Sequence, residues 1–231
     1  MTGPISQTGA QLPNPERYKT LVVILTVLTT VVTAIIAGLQ ADANIRSSSS
    51  NRDSQVYAIQ AASELNYQDL QFAYNMNVFA GYLKDGLEAT VLQMTALQQE
   101  QSDPKAAADS KLRALVAQAR ADQAQKFSIF FNDPRYAPKK AGGMPDLQSY
   151  LTDMYATAKS LVVQQNAAAD DYNRWNRKGD AYTSILAILA VAFFLFGLAQ
   201  ALSPRLRLVF ALFGVVAVAA AGLGTLLTLV T

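Results

Sequence analysis

Apolar and polar positions follow two different patterns along this chain. Three stretches are apolar and carry no charge: residues 21–39 (LVVILTVLTTVVTAIIAGL), 181–202 (AYTSILAILAVAFFLFGLAQAL) and 208–230 (LVFALFGVVAVAAAGLGTLLTLV). They are 19, 22 and 23 residues long. About 20 helical residues cross ~30 Å of hydrocarbon. Each stretch is therefore predicted to span a membrane as a helix. A buried core helix rarely runs this far without a charge. Arg17 and Lys19 before the first stretch, and Ala41-Asp42-Ala43 after it, also outline a signal peptide. Its apolar run exceeds the usual 7–15 residues of such a peptide, which favours a retained anchor.

Between the first two stretches the pattern is amphipathic and helical. Leu147, Leu151, Met154, Ala158, Leu161, Gln165, Ala168, Tyr172 and Trp175 recur at alternating steps of 4 and 3, a heptad seam. Leu65, Phe72, Met76, Phe79, Leu83, Leu87, Val91 and Met94 form a second stripe, with a 4-4 step at Leu83–Leu87–Val91. Leu112, Val116, Ala119, Phe127 and Phe130 form a third, interrupted at Gln123.

Helix starts are marked by capping side chains before proline: Asn14-Pro15, Asp103-Pro104 and Ser203-Pro204. Pro145, after Gly142-Gly143, is predicted to start another helix. Four helices follow: from about Pro15 to Glu100, from Pro104 to Phe130, from Pro145 to Leu202, and from Pro204 onward. Residues 132–144 (NDPRYAPKKAGGM) form the one obvious loop. No strand pattern is present. Residues 40–101 number 62, and the return path through 104–130 and 146–180 has the same total. Sixty-two helical residues cover roughly 93 Å. A long helix out and two collinear helices back is the preferred arrangement. A compact bundle, with a turn near Asn66 or at Gly81–Gly86, is the alternative.

The fold expected is all-α: an integral membrane protein with three transmembrane helices and a long, coiled-coil-like helical hairpin outside the bilayer. Its parts are an N-terminal tail (1–14), a first span (15–40), a helical extramembrane domain (41–180, loop 131–145), a second span (181–203) and a third (204–231). Basic residues mark the cytoplasmic side of short loops. Arg17 and Lys19 in the tail, and Arg205 and Arg207 in the tight turn SPRLR, predict a cytoplasmic N-terminus and an extracytoplasmic 42–180. Arg46, Arg52, Arg174, Arg177 and Lys178 flank the bilayer on the other side and weaken that asymmetry.

Composition narrows the chemistry. The chain of 231 residues is 51% hydrophobic and only 16% charged, against about 25% charged in soluble domains. Its mean hydropathy of +0.14 averages the uncharged spans with a polar middle. Net charge is +2, so nucleic acid is not an expected partner. Cysteine and histidine are both absent. That excludes disulfides, thiol nucleophiles, Cys/His zinc sites, Ser-His-Asp triads and histidine-ligated haem. No carboxylates show metal-ligand spacing and no phosphate loop appears, so no catalytic residue, metal or cofactor is expected.

The candidate sites are contact sites. Tyr172, Arg174, Trp175, Arg177, Lys178 and Tyr182 before the second span, with Arg205 and Arg207 in the turn, suit the membrane interface and its lipid headgroups. Gly197, Gly214, Ala217, Ala221 and Gly224 are small residues that let membrane helices approach closely. Thr26, Thr30 and Thr33 form a candidate pore face, although threonine hydroxyls in helices commonly bond back to their own carbonyls. Arg135, Lys139 and Lys140 make the loop basic.

Two segments carry a resemblance: residues 41–65 (ADANIRSSSSNRDSQVYAIQAASEL), and the closing pair of spans with its SPRLR turn. In these the chain resembles an uncharacterised family of bacterial inner-membrane proteins, a domain of unknown function with one N-terminal span, a helical middle and two C-terminal spans. The resemblance implies topology and no activity. The layout also resembles bacterial chemoreceptor input domains. The function expected is a non-enzymatic membrane scaffold or assembly subunit, acting on the bilayer and on copies of itself or a membrane-protein partner. The alternatives are a channel or transport subunit, or a ligand-sensing input module.

Overall fold

A computed structural model describes residues 15–140 and 143–230, without the side chains of residues 15–18, 204 and 205. The described chain is all-α, and no strand occurs among these residues. The helices are α1 (Pro15–Gln99), α2 (Pro104–Phe127), α3 (Ile129–Asn132), α4 (Leu147–Met154), α5 (Ala156–Ala201) and α6 (Pro204–Val230). Segments of α1, α5 and α6 are long and apolar enough to cross a membrane. Asn14 lies outside the described residues.

Helix α1 continues unbroken past Asn66, Gly81 and Gly86, so the turn that a compact bundle needs does not occur there. Its end is a tight turn, where the amides of Ser102 and Asp103 donate to the Gln99 carbonyl. Asp103 then caps α2, accepting from the Ala106 amide at 3.0 Å. The start predicted at Pro145 falls two residues later. Asp146 caps α4, accepting from the Ser149 amide and hydroxyl at 3.0 and 2.9 Å, and Pro145 is buried ahead of it. The third predicted helix is interrupted once, at Tyr155. The Tyr155 hydroxyl donates to Asp69 on α1 at 2.8 Å.

The chain divides into two compact units, one of residues up to Ser54 and from Ala167 on, the other Gln55–Asn166. Both divisions fall inside the 41–180 region drawn from the sequence.

In the Gln55–Asn166 unit, α2 returns antiparallel along the end of α1. Ser110 bonds Gln99, and Lys111 pairs with Glu100 at 2.8 Å. Helix α4 takes over the return, where Asn75 donates to the Tyr150 hydroxyl at 2.8 Å. The α4–α5 seam falls as the heptads predict: Leu147, Leu151, Met154, Ala158, Leu161 and Gln165 are all buried or half-buried.

The other two stripes hold only in part: Phe72, Met76 and Phe79 of the first and Phe130 of the second turn inward, and the rest, with Leu65 and Ala119, face out. On α1 the inward residues are Ala61, Gln68, Phe72, Asn75, Phe79, Tyr82, Gly86, Ala89 and Ala96, a continuous heptad face. Leu83, Leu87, Val91 and Met94 point outward, and the 4-4 step between them belongs to an exposed surface. On α2, Ala107, Ala114, Ala117 and Ala121 face in, while Leu112, Val116 and Phe127 face out. The physical reason is spacing. Alanine pairs let two helix backbones approach closely, and a leucine there would hold them apart.

The large core of this unit is aromatic. Phe79, Phe130, Tyr136 and Tyr150 are buried together. The Phe130 ring meets those of Phe79 and Tyr150 edge-on, at 5.6 and 5.0 Å between centroids. The break at Ser128 and the short α3 turn Phe130 into this cluster.

The loop does not present a free basic tip. Arg135 is held by Asp133 and Asp153, each at 2.8 Å, and Tyr136 donates to Asp153 at 2.9 Å. Lys139 and Lys140 remain exposed.

Candidate functional site at the membrane boundary

In the unit of α1 up to Ser54 with α5 and α6, α1 buries Val22, Thr29, Ile36 and Ala43 at steps of seven, then Ser47. Ile36 and Ala43 pack on Tyr182, Ile185 and Leu189 of α5 and Ala221 of α6. Val22 packs on Ala192, Phe196, Ala199 and Ala211.

The small-residue positions divide. Ala221 is fully buried and Ala217 packs against the second cluster. A Cβ on Gly214 would stand 2.5 Å from the Phe196 ring, and one on Gly224 would stand 3.3 Å from Ile185. These four sit on the packing face. Gly197 does not: it is exposed, with open space where a Cβ would stand.

The threonine stripe is internally bonded. Thr26, Thr30 and Thr33 donate their hydroxyls to the carbonyls of Val22, Thr26 and Thr29 at 2.9, 3.0 and 2.8 Å. The threonine that packs deepest is Thr29, which lies off the predicted stripe.

The interfacial residues gather around one tryptophan. Trp175 is half-buried and packs against the cluster of Ile36, Tyr182 and Leu189. Three cations face its ring: Arg46 at 4.6 Å, Lys178 at 5.4 Å and Arg174 at 5.6 Å from the centroid. Cations are drawn to the negative face of an indole. Arg46 also pairs with Asp42 at 2.9 Å, and Arg174 with Asp171 at 3.0 Å. Tyr172 is half-buried and Tyr182 is buried in the helix interface rather than lying among headgroups. Arg177 is exposed.

Arg46 approaches Trp175 from α1, a contact not drawn from the sequence. The signal was present: Arg46 stands seven residues past the first uncharged run, as Arg174 stands seven before the second. An antiparallel pair brings them to one level. At the same level Asn44 of α1 faces buried Gly179, where a Cβ would stand 2.6 Å from the Asn44 side-chain oxygen.

At the opposite end of the spans, Arg207 does more than meet headgroups. Its guanidinium donates to the carbonyls of Ala199 at 3.1 Å and Leu202 at 3.2 Å. It thus satisfies acceptors that the end of α5 leaves open. The Arg205 side chain lies outside the described part. Among the described residues no group of carboxylates is placed to hold a metal ion.

Comparison with protein-family models, with curated proteins and with solved structures returned no match.

Proposed function

We propose that this protein is a non-enzymatic membrane scaffold or assembly subunit. On this reading it associates with copies of itself, or with a membrane-protein partner, through the helical region between its first two spans. One observation carries the reading. Helices α1 and α2 bury alanines against each other and turn their large aliphatic side chains outward. Leu87 is 68% exposed, Met94 60%, Leu112 62% and Leu115 66%. Contiguous apolar surface of this kind marks an interaction face. The four alanine methyls that α2 buries offset little of the ordering cost of its 24 residues. A partner on the aliphatic side supplies the missing burial.

The test is mass measurement on protein purified in mild detergent. An oligomer, or a stoichiometric partner, is expected, and L87E/M94E is expected to release monomer. A lone monomer as the wild-type species would sink the proposal. In this reading the membrane is a bacterial inner membrane, with the N-terminus in the cytoplasm and residues 42–180 outside, as the basic tail, the SPRLR turn and the resemblance at residues 41–65 suggest.

A ligand-sensing module is the second reading. A cavity of about 420 Å³ supports it, lined by Phe79, Tyr82, Phe131, Lys139, Lys140 and Met144 among others. That volume and its mixed aromatic and cationic lining suit a small anionic molecule. Saturable binding of such a molecule by the purified monomer would favour this reading over the scaffold. The channel reading rests on Thr26, Thr30 and Thr33, and the donors they would offer a water path are already committed to carbonyls.

A further inference from the structure

Below Trp175, a cavity of about 380 Å³ lies between α5 and the end of α6. Arg174, Arg177, Lys178, Ala181 and Thr228 line it, and no acidic side chain does. Arg174, Arg177 and Lys178 stand at i, i+3 and i+4 on one face of α5. The three cations are not equally available. Arg174 shares its charge with Asp171, and Lys178 leans on the indole of Trp175. Arg177 makes no side-chain hydrogen bond or ion pair among the described residues. The nearby Asp180 carboxylate lies outside the lining and accepts from Asn176 at 3.4 Å.

The depth of this cavity is informative. Ala181 opens the second uncharged run, and Thr228 sits within the last turn of α6. The floor is therefore level with the edge of the hydrocarbon, and the three cations stand above it in the headgroup layer, where lipid phosphates lie. Towards the bilayer centre the surface turns apolar. Ile188, seven residues on from Ala181 and so on the same face of α5, is exposed. A positive cup above an apolar flank fits an amphiphile: a phosphate in the cup and acyl chains along the helices. A free phosphate would use only the cup.

We propose that Arg174, Arg177 and Lys178 hold the phosphate of an anionic phospholipid headgroup in this cavity. Arg177 offers a planar fork that matches two phosphate oxygens, and Lys178 adds a point charge. The inference stands apart from the scaffold reading, since it concerns the spans and not the aliphatic face of α1 and α2.

The test uses the full-length chain in nanodiscs of equimolar phosphatidylglycerol and phosphatidylcholine, with retained lipid weighed by native mass spectrometry. Wild-type protein is expected to retain phosphatidylglycerol in clear excess. Each cation removed should lower that excess roughly fivefold, the worth of one basic residue near an anionic surface. R177Q/K178Q should therefore abolish most of it, while R177K/K178R and the distant R113Q keep it. Should R177Q/K178Q fail to fold, R177Q alone gives the same reading at one step. Equal retention of the two lipids by the wild type, or an excess unchanged in R177Q, overturns the proposal. Inorganic phosphate separates the sources: a lipid excess that survives its addition supports the headgroup, and displacement of the lipid by phosphate overturns it.

Discussion

Gly214 sets how closely α6 approaches α5. A Cβ there would stand 2.5, 2.8 and 2.9 Å from three atoms of the Phe196 ring, and that ring is fully buried among Val22, Ala192, Ala199 and Ala211. The ring has nowhere to retreat, so G214A forces the helices apart or the ring off its rotamer. Overpacking of this kind costs about 1–3 kcal/mol. G197A adds the same methyl in open space and should leave stability near that of the wild type. Thermal unfolding of both variants in one detergent checks the pair, and equal midpoints would refute the contact. At this scale the sequence was half legible. A 3-4 spacing of small residues marked the α6 face correctly, because its period is that of a packed helix. It could not place Gly197, since a small residue on a lipid-facing surface looks the same in one dimension. Phe130, read onto the third stripe, is buried, but it reaches the core through the one-residue break at Ser128 and not along one continuous helix.

Two elements of the Gln55–Asn166 unit, α4 and the loop before it, are fastened by carboxylates, and this gives them a pH dependence. The Ser149 amide and hydroxyl hold Asp146 below the ordinary carboxylate range. The Arg135 side chain and amide do the same for Asp133. A carboxyl whose folded pKa is lowered contributes stability above its unfolded value, about 3.9, and that contribution is lost as pH falls through the folded value. The loop and α4 should therefore loosen below about pH 4. At the alkaline end the signs reverse. Burial raises Tyr136, and the hydrogen bond to Asp69 raises Tyr155, so their contribution fades as pH climbs past about 10. Hydrogen exchange of residues 133–154 across this range is the measurement. D133N/D146N should flatten the acid limb, and an unchanged limb would exclude these carboxylates as its cause. The elements themselves were largely readable. Proline after a capping side chain located the starts of α2 and α6, and the seam of α4 and α5 kept its heptad phase. The α1 seam was read correctly at Phe72, Met76 and Phe79 but misread from Leu83 to Met94, as was the α2 stripe at Leu112, Val116 and Phe127, because large side chains were weighted over alanine although the close helix pair is made by the small residues.

For the whole molecule, the topology in the membrane rests on where uncompensated positive charge lies. One end of the spans carries Arg17, Lys19, Arg205 and Arg207; the other carries Arg46, Arg52, Arg174, Arg177 and Lys178. The count, four against five, does not itself favour the tail and turn, but the situations differ. Arg46 and Arg174 are paired with aspartates and drawn to the Trp175 ring. Acidic neighbours weigh little in the positive-inside rule, so pairing alone does not decide the matter. Loop length does. The turn between α5 and α6 is too short to hold anything but its two arginines, and such short loops follow the rule most closely, whereas the long region between the first two spans translocates largely regardless of charge. The expected arrangement therefore puts Lys139 outside the cell membrane. The chain has no native cysteine, so K139C provides a single thiol on an exposed loop position. A membrane-impermeant maleimide should label it in intact spheroplasts as fully as after lysis. Labelling that appears only after lysis would invert the topology, and would move the proposed phosphate site to the cytoplasmic leaflet.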